Sequence, residues 1–417
     1  MRILMVSWEY PPKIVGGLAR HVQELSEALA EQGHTVHVLT GPYSEGPEET
    51  VANGVHIHRA NLGYPDPRGF FVSVLNLNFG LLEQAIKLLR HGYTFDLVHC
   101  HDWLGAYAAK VLKHALDLPL VATIHATEYG RHGGLHNDLQ RQISDSEWWL
   151  TYESYRVICC SRHMYNELRS FFQLPADKLT VIPNGVNPAR FEVAPGVDLQ
   201  QFRRRYAADH EKLVFFIGRM VREKGAADLL RAVPKIRHYW RDVKFVLAGS
   251  GPFLDELRRL AHHLQIDEAV TFTGFISDEE RNSFYAVADL AVYPSLYEPF
   301  GIVALEAMAT KTPVVVADTG GFGEIVIHGV NGLKAYPGNA NSLADNILTL
   351  LYRPDLAVEL AQEAYAEVQT KYNWQAIAQQ TAEVYAQVVT GKSRVEPWYQ
   401  HEVPGRYEYT VAKGGVK

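Results

Sequence analysis

The chain has 417 residues, with 40 Lys and Arg against 47 Asp and Glu, a formal net charge of −7 and 47% hydrophobic residues. At about 150 residues per domain, that length calls for two or three domains, each large enough for its own core. A charged fraction of 21% with 11% aromatics excludes a disordered chain, a collagen-like repeat or a coiled coil. The acidic balance, with no run of five Lys or Arg, argues against a nucleic-acid partner.

The predicted elements fall into two similar halves. In the first, apolar β-branched runs recur at Arg2–Ser7, Thr35–Leu39, Val55–His58, Asp96–Cys100, Leu120–Ile124, Val157–Cys160 and Leu179–Ile182. Helical spacing separates most of them, at Gly17–Gln32, Val74–Leu89, Ala106–Ala115 and Arg162–Phe172. The second half runs Leu213–Ile217, Lys244–Ala248, Val270–Thr273, Leu290–Tyr293, Pro313–Ala317 and Gly332–Ala335. Its helical stretches are Ala226–His238, Phe253–Leu264, Asp278–Val287 and Ile302–Ala309. Near-continuous apolar strands alternating with helices predict parallel sheets covered on both faces, hence two doubly wound α/β domains. A boundary is expected near Asn187–Gly196, where Pro188, Pro195 and Gly196 break the pattern, giving domains of 1–188 and 189–389. Helical sequence resumes from Ser342 to about Val389, and the 390–417 tail has no readable period.

Cys100, Cys159 and Cys160 are too few for a disulfide framework and read as reduced thiols. No apolar run is long enough for a bilayer span, and Met1–Val6 leads into Trp8-Glu9-Tyr10 without a signal-peptide pattern. A cytoplasmic protein is therefore expected.

Ligands of open parallel sheets sit beyond the carboxyl ends of the strands, so the residues just after each strand carry the information. Gly16 and Gly17 follow the first strand and open a helix whose amides and dipole suit a phosphate; a plain tight turn is the bland reading. Arg219 and Lys224 follow strand Leu213–Ile217 in a glycine-flanked loop and suit a diphosphate, or else pair with Glu223 as solvated charges. Ser295–Glu306 follows strand Leu290–Tyr293. Glu298 lies in its loop, the amides of Phe300, Gly301 and Ile302 open a helix, and Glu306 interrupts that helix's apolar run. His125 ends one strand and His99-Cys100-His101-Asp102-Trp103 another. With 19 histidines in the chain and no acid–histidine helix motif, chance clustering is preferred and no metal site is expected.

Together these residues resemble the retaining nucleotide-sugar glycosyltransferases of family 4, with the GT-B architecture of two Rossmann-like domains facing across a cleft. The likeness runs from Met1 to about Val389. It comprises Gly16-Gly17, His125, Ile182-Pro183-Asn184-Gly185-Val186, Arg219 with Lys224, and the Glu298…Glu306 pair with seven residues between them. His101-Asp102-Trp103, Thr123-Ile124-His125 and Tyr297-Glu298-Pro299-Phe300-Gly301 are similar to stretches of glycogen and starch synthases. Two departures stand out. Those synthases usually carry Lys-x-Gly-Gly, whereas Ile14 takes the lysine's place and Lys13 sits one position further out. Bacterial glycogen synthases of the other family typically lack the second acid, which is present as Glu306.

The resemblance implies transfer of a hexose, glucose from ADP-glucose or UDP-glucose first, to an acceptor hydroxyl with retention, on an α-glucan in the glycogen-like case. It implies that Arg219 and Lys224 stabilise the diphosphate, Gly16 and Gly17 close over it, and His125 borders the sugar. Glu298 would bind sugar hydroxyls with the amides near Phe300–Ile302, Glu306 the ribose, and Asp102 the acceptor side. No metal or other cofactor is implied beyond the nucleotide-sugar co-substrate. A same-fold sugar-nucleotide epimerase, a disaccharide phosphorylase and a non-catalytic sugar-binding protein stay open as alternatives, as does the oligomeric state.

Overall fold

A computed structural model describes residues 1–43, 46–60, 66–67 and 69–391; of the expected 390–417 tail, 390 and 391 end the last helix and 392–417 lie outside the described residues. The first sheet has eight strands: β1 (Arg2–Ser7), β2 (Thr35–Thr40), β3 (Glu49–Ala52), β4 (Val55–Arg59), β5 (Leu97–His101), β6 (Leu120–Ile124), β7 (Arg156–Cys159) and β8 (Leu179–Val181). Their order is β3-β4-β2-β1-β5-β6-β7-β8. The second sheet holds β9 (Lys212–Ile217), β10 (Val243–Ala248), β11 (Val270–Gly274), β12 (Leu290–Tyr293), β13 (Val314–Ala317) and β14 (Leu333–Ala335), in the order β11-β10-β9-β12-β13-β14. All pairings are parallel except β3 with β4. The GT-B fold of two Rossmann-like α/β domains is thus in place.

The strands form where β-branched residues stand in runs without alternation, because helices cover both faces. Val314, Val315 and Val316 are all buried, as are Ile3 to Val6. Strand β3 escaped the sequence reading because all four of its residues are exposed, so it carries no apolar pattern. Helix Asp138–Glu153 escaped it too. Its apolar stripe is thin, and its buried face includes Gln140, Ser144, Ser146, Glu147 and Thr151.

The last helix, Trp374–Gly391, packs on helix Gly17–Glu31 of the first sheet. Its Tyr385 hydroxyl bonds His99 Nδ1 at 2.7 Å. The two domains are also joined directly. Ser161 Oγ donates to the Pro299 carbonyl at 2.6 Å, and the Glu324 carboxylate accepts the amides of Arg162 and His163 at 2.9 and 2.7 Å. That carboxylate caps helix Arg162–Phe171, where an acid is favoured by the helix dipole.

In each sheet the strand order reverses beside the first strand: between β1 and β5 in one, between β9 and β12 in the other. Ligand crevices of open α/β sheets lie at such switch points. The residues that follow β1, β5, β9 and β12 are the ones to inspect.

Candidate active site

After β1 the chain runs through Glu9 to Gly16, which precedes helix Gly17–Glu31. Glu9 is buried, and its Oε2 accepts the amides of Val15 at 2.5 Å and Gly16 at 3.3 Å. Burial pushes its carboxyl up to about 7, against the pull of these amides. The glycine loop is therefore anchored from beneath by an acid. Across the cleft it meets the second sheet: a Cβ on Gly17 would lie 3.2 Å from Ile302 Cδ1. Sequence reasoning missed Glu9. The available signal was an acid at a strand's carboxyl end ahead of two glycines.

After β5, Asp102 takes φ 57° and ψ 173°, a region nearly confined to glycine and costing about 1–3 kcal/mol in other residues. Its Oδ1 accepts the His125 amide at 2.7 Å, which ties the ends of β5 and β6 together. Burial raises the Asp102 carboxyl to about 6. The half-buried His125 ring faces the cleft, and burial with the nearby Arg131 lowers its pKa to about 3. Arg131 belongs to the short helix Glu128–His132. It acts on His125, Asp102 and Arg219 alike, so it adds a cation that the sequence did not announce.

On the second sheet, Arg219 and Lys224 stand in the loop after β9. Arg219 pairs with Glu223 at 3.6 Å, and Lys224 Nζ bonds Glu298 Oε2 at 2.7 Å. Their exposures differ, 43% against 23% of the side chain, so Lys224 is not the freely solvated cation that a loop position suggests. Burial, then Arg131, lowers the Arg219 pKa; Glu223 and Glu9 counter this. The Lys224–Glu298 pairing follows from backbone geometry. Gly225 has φ 69°, and a Cβ there would overlap the Pro294 carbonyl after β12. The Leu296 amide donates to the Glu223 carbonyl at 2.8 Å. The two loops are thereby clamped edge to edge.

Glu298 is buried and also accepts from Ser295 Oγ at 3.1 Å. Its backbone is held by Gly320 and Gly321, whose amide at Gly321 donates to the Glu298 carbonyl at 2.8 Å. Phe300 is buried, and Gly301 precedes helix Ile302–Ala309, leaving that helix's first amides at the cleft. Glu306 is buried on the same helix. The partner its position called for is Tyr285, whose hydroxyl donates to Glu306 Oε2 at 3.0 Å and bonds Tyr293 at 3.0 Å. Burial raises the Glu306 carboxyl. Glu306 lines a cavity between the sheets with Arg20, Glu24, Arg190, Asp278 and Arg281. Arg20 crosses the cleft to Asp278 at 2.5 Å.

The fold thus brings Gly16, Gly17, Asp102, His125, Arg219, Lys224, Glu298, Phe300, Gly301, Ile302 and Glu306 to the facing strand ends. Comparison with known proteins identifies the family. A family model described as Glycosyltransferase Family 4 matches residues 15–190, and one described as Glycosyl transferases group 1 matches residues 198–367. An uncharacterized glycosyltransferase of Methanocaldococcus jannaschii is 41% identical over 389 residues, 92% of this chain and 98% of that protein. The chain is a GT-B glycosyltransferase of family 4. This glycosyltransferase is also 37% identical over 426 residues to a glycogen synthase of Mycobacterium tuberculosis, covering 97% of this chain and all of the other. Its fold superposes on a sucrose-phosphate synthase from Thermosynechococcus elongatus with a TM-score of 0.80 at 27% identity, covering 94% and 99% of the two chains. Among the described residues, no helix is long and apolar enough to cross a membrane.

Proposed function

We propose that this glycosyltransferase is a retaining glucosyltransferase that moves glucose from a nucleoside diphosphate glucose to an acceptor hydroxyl, the acceptor being an α-glucan. The observation that carries the reading is the convergence on one cleft of two cations after β9 and a glycine-opened helix after β1. A sugar diphosphate needs fixed positive charge where its leaving group forms, and amides that approach it closely.

In the proposed reaction the bond from the sugar's anomeric carbon to the diphosphate oxygen breaks, and a bond to the acceptor oxygen forms on the same face. The acceptor's proton passes to the departing phosphate. Arg219 and Lys224 stabilise the charge growing on that phosphate, which makes them the groups that act on the transition state more than on the ground state. Glu298, held by Ser295 and the Gly320–Gly321 turn, presents its carboxylate to sugar hydroxyls once the donor's phosphate draws Lys224 away. Glu306, oriented by Tyr285, receives the ribose. His125, kept neutral by burial, borders the sugar without adding charge, and Asp102 fixes His125 on the acceptor side. Closure of the two sheets excludes water that would hydrolyse the donor.

Glucose is favoured by the likeness of His101-Asp102-Trp103 and Glu298-Pro299-Phe300-Gly301 to glucan synthases, and by similarity to a glycogen synthase and a sucrose-phosphate synthase. A donor panel tests it. ADP-glucose or UDP-glucose should be consumed faster than GDP-mannose or UDP-galactose at equal concentration with a glucan acceptor, yielding an α-linked product by NMR. Faster use of either non-glucose donor would overturn the sugar assignment. Epimerised donor without acceptor, or phosphate-dependent cleavage of a disaccharide, would replace the transferase reading.

A further inference from the structure

Beside the cleft lies a group of imidazoles that the transfer reaction does not use as a group. Helix Gly17–Glu31 brings His21 against His125 and His101, with ring centroids 4.5 and 5.3 Å away. Each of the three offers one ring nitrogen within 4.8 Å of the others'. His101 Nδ1 and His125 Nε2 are 3.3 Å apart. Metal–nitrogen bonds of 2.0–2.1 Å in a tetrahedron place neighbouring ligand nitrogens about 3.3–3.4 Å apart. His101 and His125 already stand at that edge.

His21 is oriented in the way metal-ligating histidines are. Its Nδ1 lies 2.7 Å from Asn184 Oδ1, so Nδ1 carries the proton and the lone pair is left on Nε2. That Nε2 is buried and has no hydrogen-bond partner, and on His101 it is Nδ1 that stands toward His125, leaving the ring proton to Nε2. His21 is 4% exposed and His101 is fully buried. A buried ring lone pair without a partner, as on His21, is costly unless a ligand fills it. His99 makes the contrast. Its two nitrogens are taken by Tyr385 and Thr123 at 2.7 and 2.8 Å, which leaves it no lone pair to offer.

We propose that His21, His101 and His125 form a three-imidazole site that takes up a zinc-like divalent transition ion from the cleft and, by holding His125, blocks glycosyl transfer. Entry is through the cleft, since His125 is half-buried there and His21 lines the cavity below Glu306. Three protein ligands leave the fourth tetrahedral position to water. The Asp102 carboxylate, bonded to the His125 amide, places negative charge beside the ion. The site binds an inhibitor and supplies nothing to the reaction. The binding half of the proposal stands on the histidine geometry alone, whereas the blocking half rests on the place given to His125 in the reaction.

The test uses Co2+ as a visible reporter and Zn2+ by calorimetry on the full-length chain. One Co2+ per chain should give the intense absorption of a tetrahedral site, be displaced by Zn2+, and weaken at least tenfold in both His21→Gln and His101→Gln. The control His56→Ala, in the separate stack of His37, His56 and His58, should leave it unchanged. Zn2+ should abolish transfer, and a chelator should restore it. Absence of saturable Co2+ binding to the wild-type chain overturns the site. So does binding that survives His21→Gln in a folded variant or disappears in His56→Ala. Stoichiometric binding that leaves transfer untouched would keep the site and overturn the role given to His125.

Discussion

The two faces of the cleft handle charge in opposite ways. The first sheet presents neutral imidazoles and buried acids: His21, His99, His101 and His125 have pKa values lowered by burial, while Glu9 and Asp102 are raised. The second sheet presents cations already matched to carboxylates, Arg219 with Glu223 and Lys224 with Glu298. The difference teaches where a donor must do work. On the second face its phosphates compete with protein acids for standing cations. On the first, they meet amides, neutral rings and the added cation of Arg131.

The sharpest test of that contrast is the cations. Losing one such contact to a transition state typically costs on the order of 10²–10³ in kcat, and Arg219→Ala and Lys224→Ala should each do so. Their stabilities should separate, however. The Arg219–Glu223 pair is open to solvent and contributes about 0–1 kcal/mol. Removing Lys224 leaves the buried Glu298 carboxylate with Ser295 as its remaining side-chain donor, a loss of about 1–3 kcal/mol. Thermal unfolding beside steady-state kinetics reads both. If the two variants keep most of the wild-type turnover, the diphosphate lies elsewhere and the contrast between faces has no catalytic meaning.

Glu306→Gln probes the same face at lower amplitude. A carboxylate that holds ribose hydroxyls should lose about 1–3 kcal/mol of binding for nucleoside diphosphate and nucleotide sugar alike. Tyr285 accompanies the carboxylate but cannot replace it. Unchanged nucleoside diphosphate affinity in a folded variant, measured by calorimetry, would remove Glu306 from the nucleotide's reach.

The second face was the more legible one in sequence, for a physical reason. Arg219, Lys224, Glu298 and Glu306 are charged residues set in otherwise apolar or glycine-rich surroundings, so each stands out at a strand end or inside a helix. On the first face the glycines, Asp102 and His125 stood out, and His99 and His101 were noticed only as chance clustering. His21 looks like any helical histidine until helix Gly17–Glu31 brings its ring beside His101 and His125. Glu9 looks like a surface acid until its carboxylate is seen under the glycine loop. The sheets themselves were readable because buried parallel strands leave continuous Val, Ile and Leu runs, as in Val314–Ala317. Exposed β3 left none. What could not be read was pairing between distant segments: Lys224 with Glu298, Tyr285 with Glu306, and Tyr385 with His99 across 286 positions.

The smallest expected effect on activity lies on the first face, and it concerns Glu9. Its folded carboxyl sits at about 7 against an ordinary 4.5, mainly through burial. A raised acid favours the protonated form in the folded chain. The stability from this group is therefore fully present below about 4.5 and is lost as pH rises toward 7, by on the order of 3 kcal/mol. Activity should run the other way. The ionised carboxylate accepts the Val15 and Gly16 amides and fixes the glycine loop, and protonation weakens that anchor. Between pH 8 and 6 the wild-type kcat/KM should then fall a few-fold even as Glu9 makes the fold more stable. Glu9→Gln, uncharged throughout, should flatten that part of the profile and raise the melting temperature at pH 8 relative to the wild type. A profile that keeps its shape in Glu9→Gln would assign the titration to another group and leave Glu9 a purely structural acid.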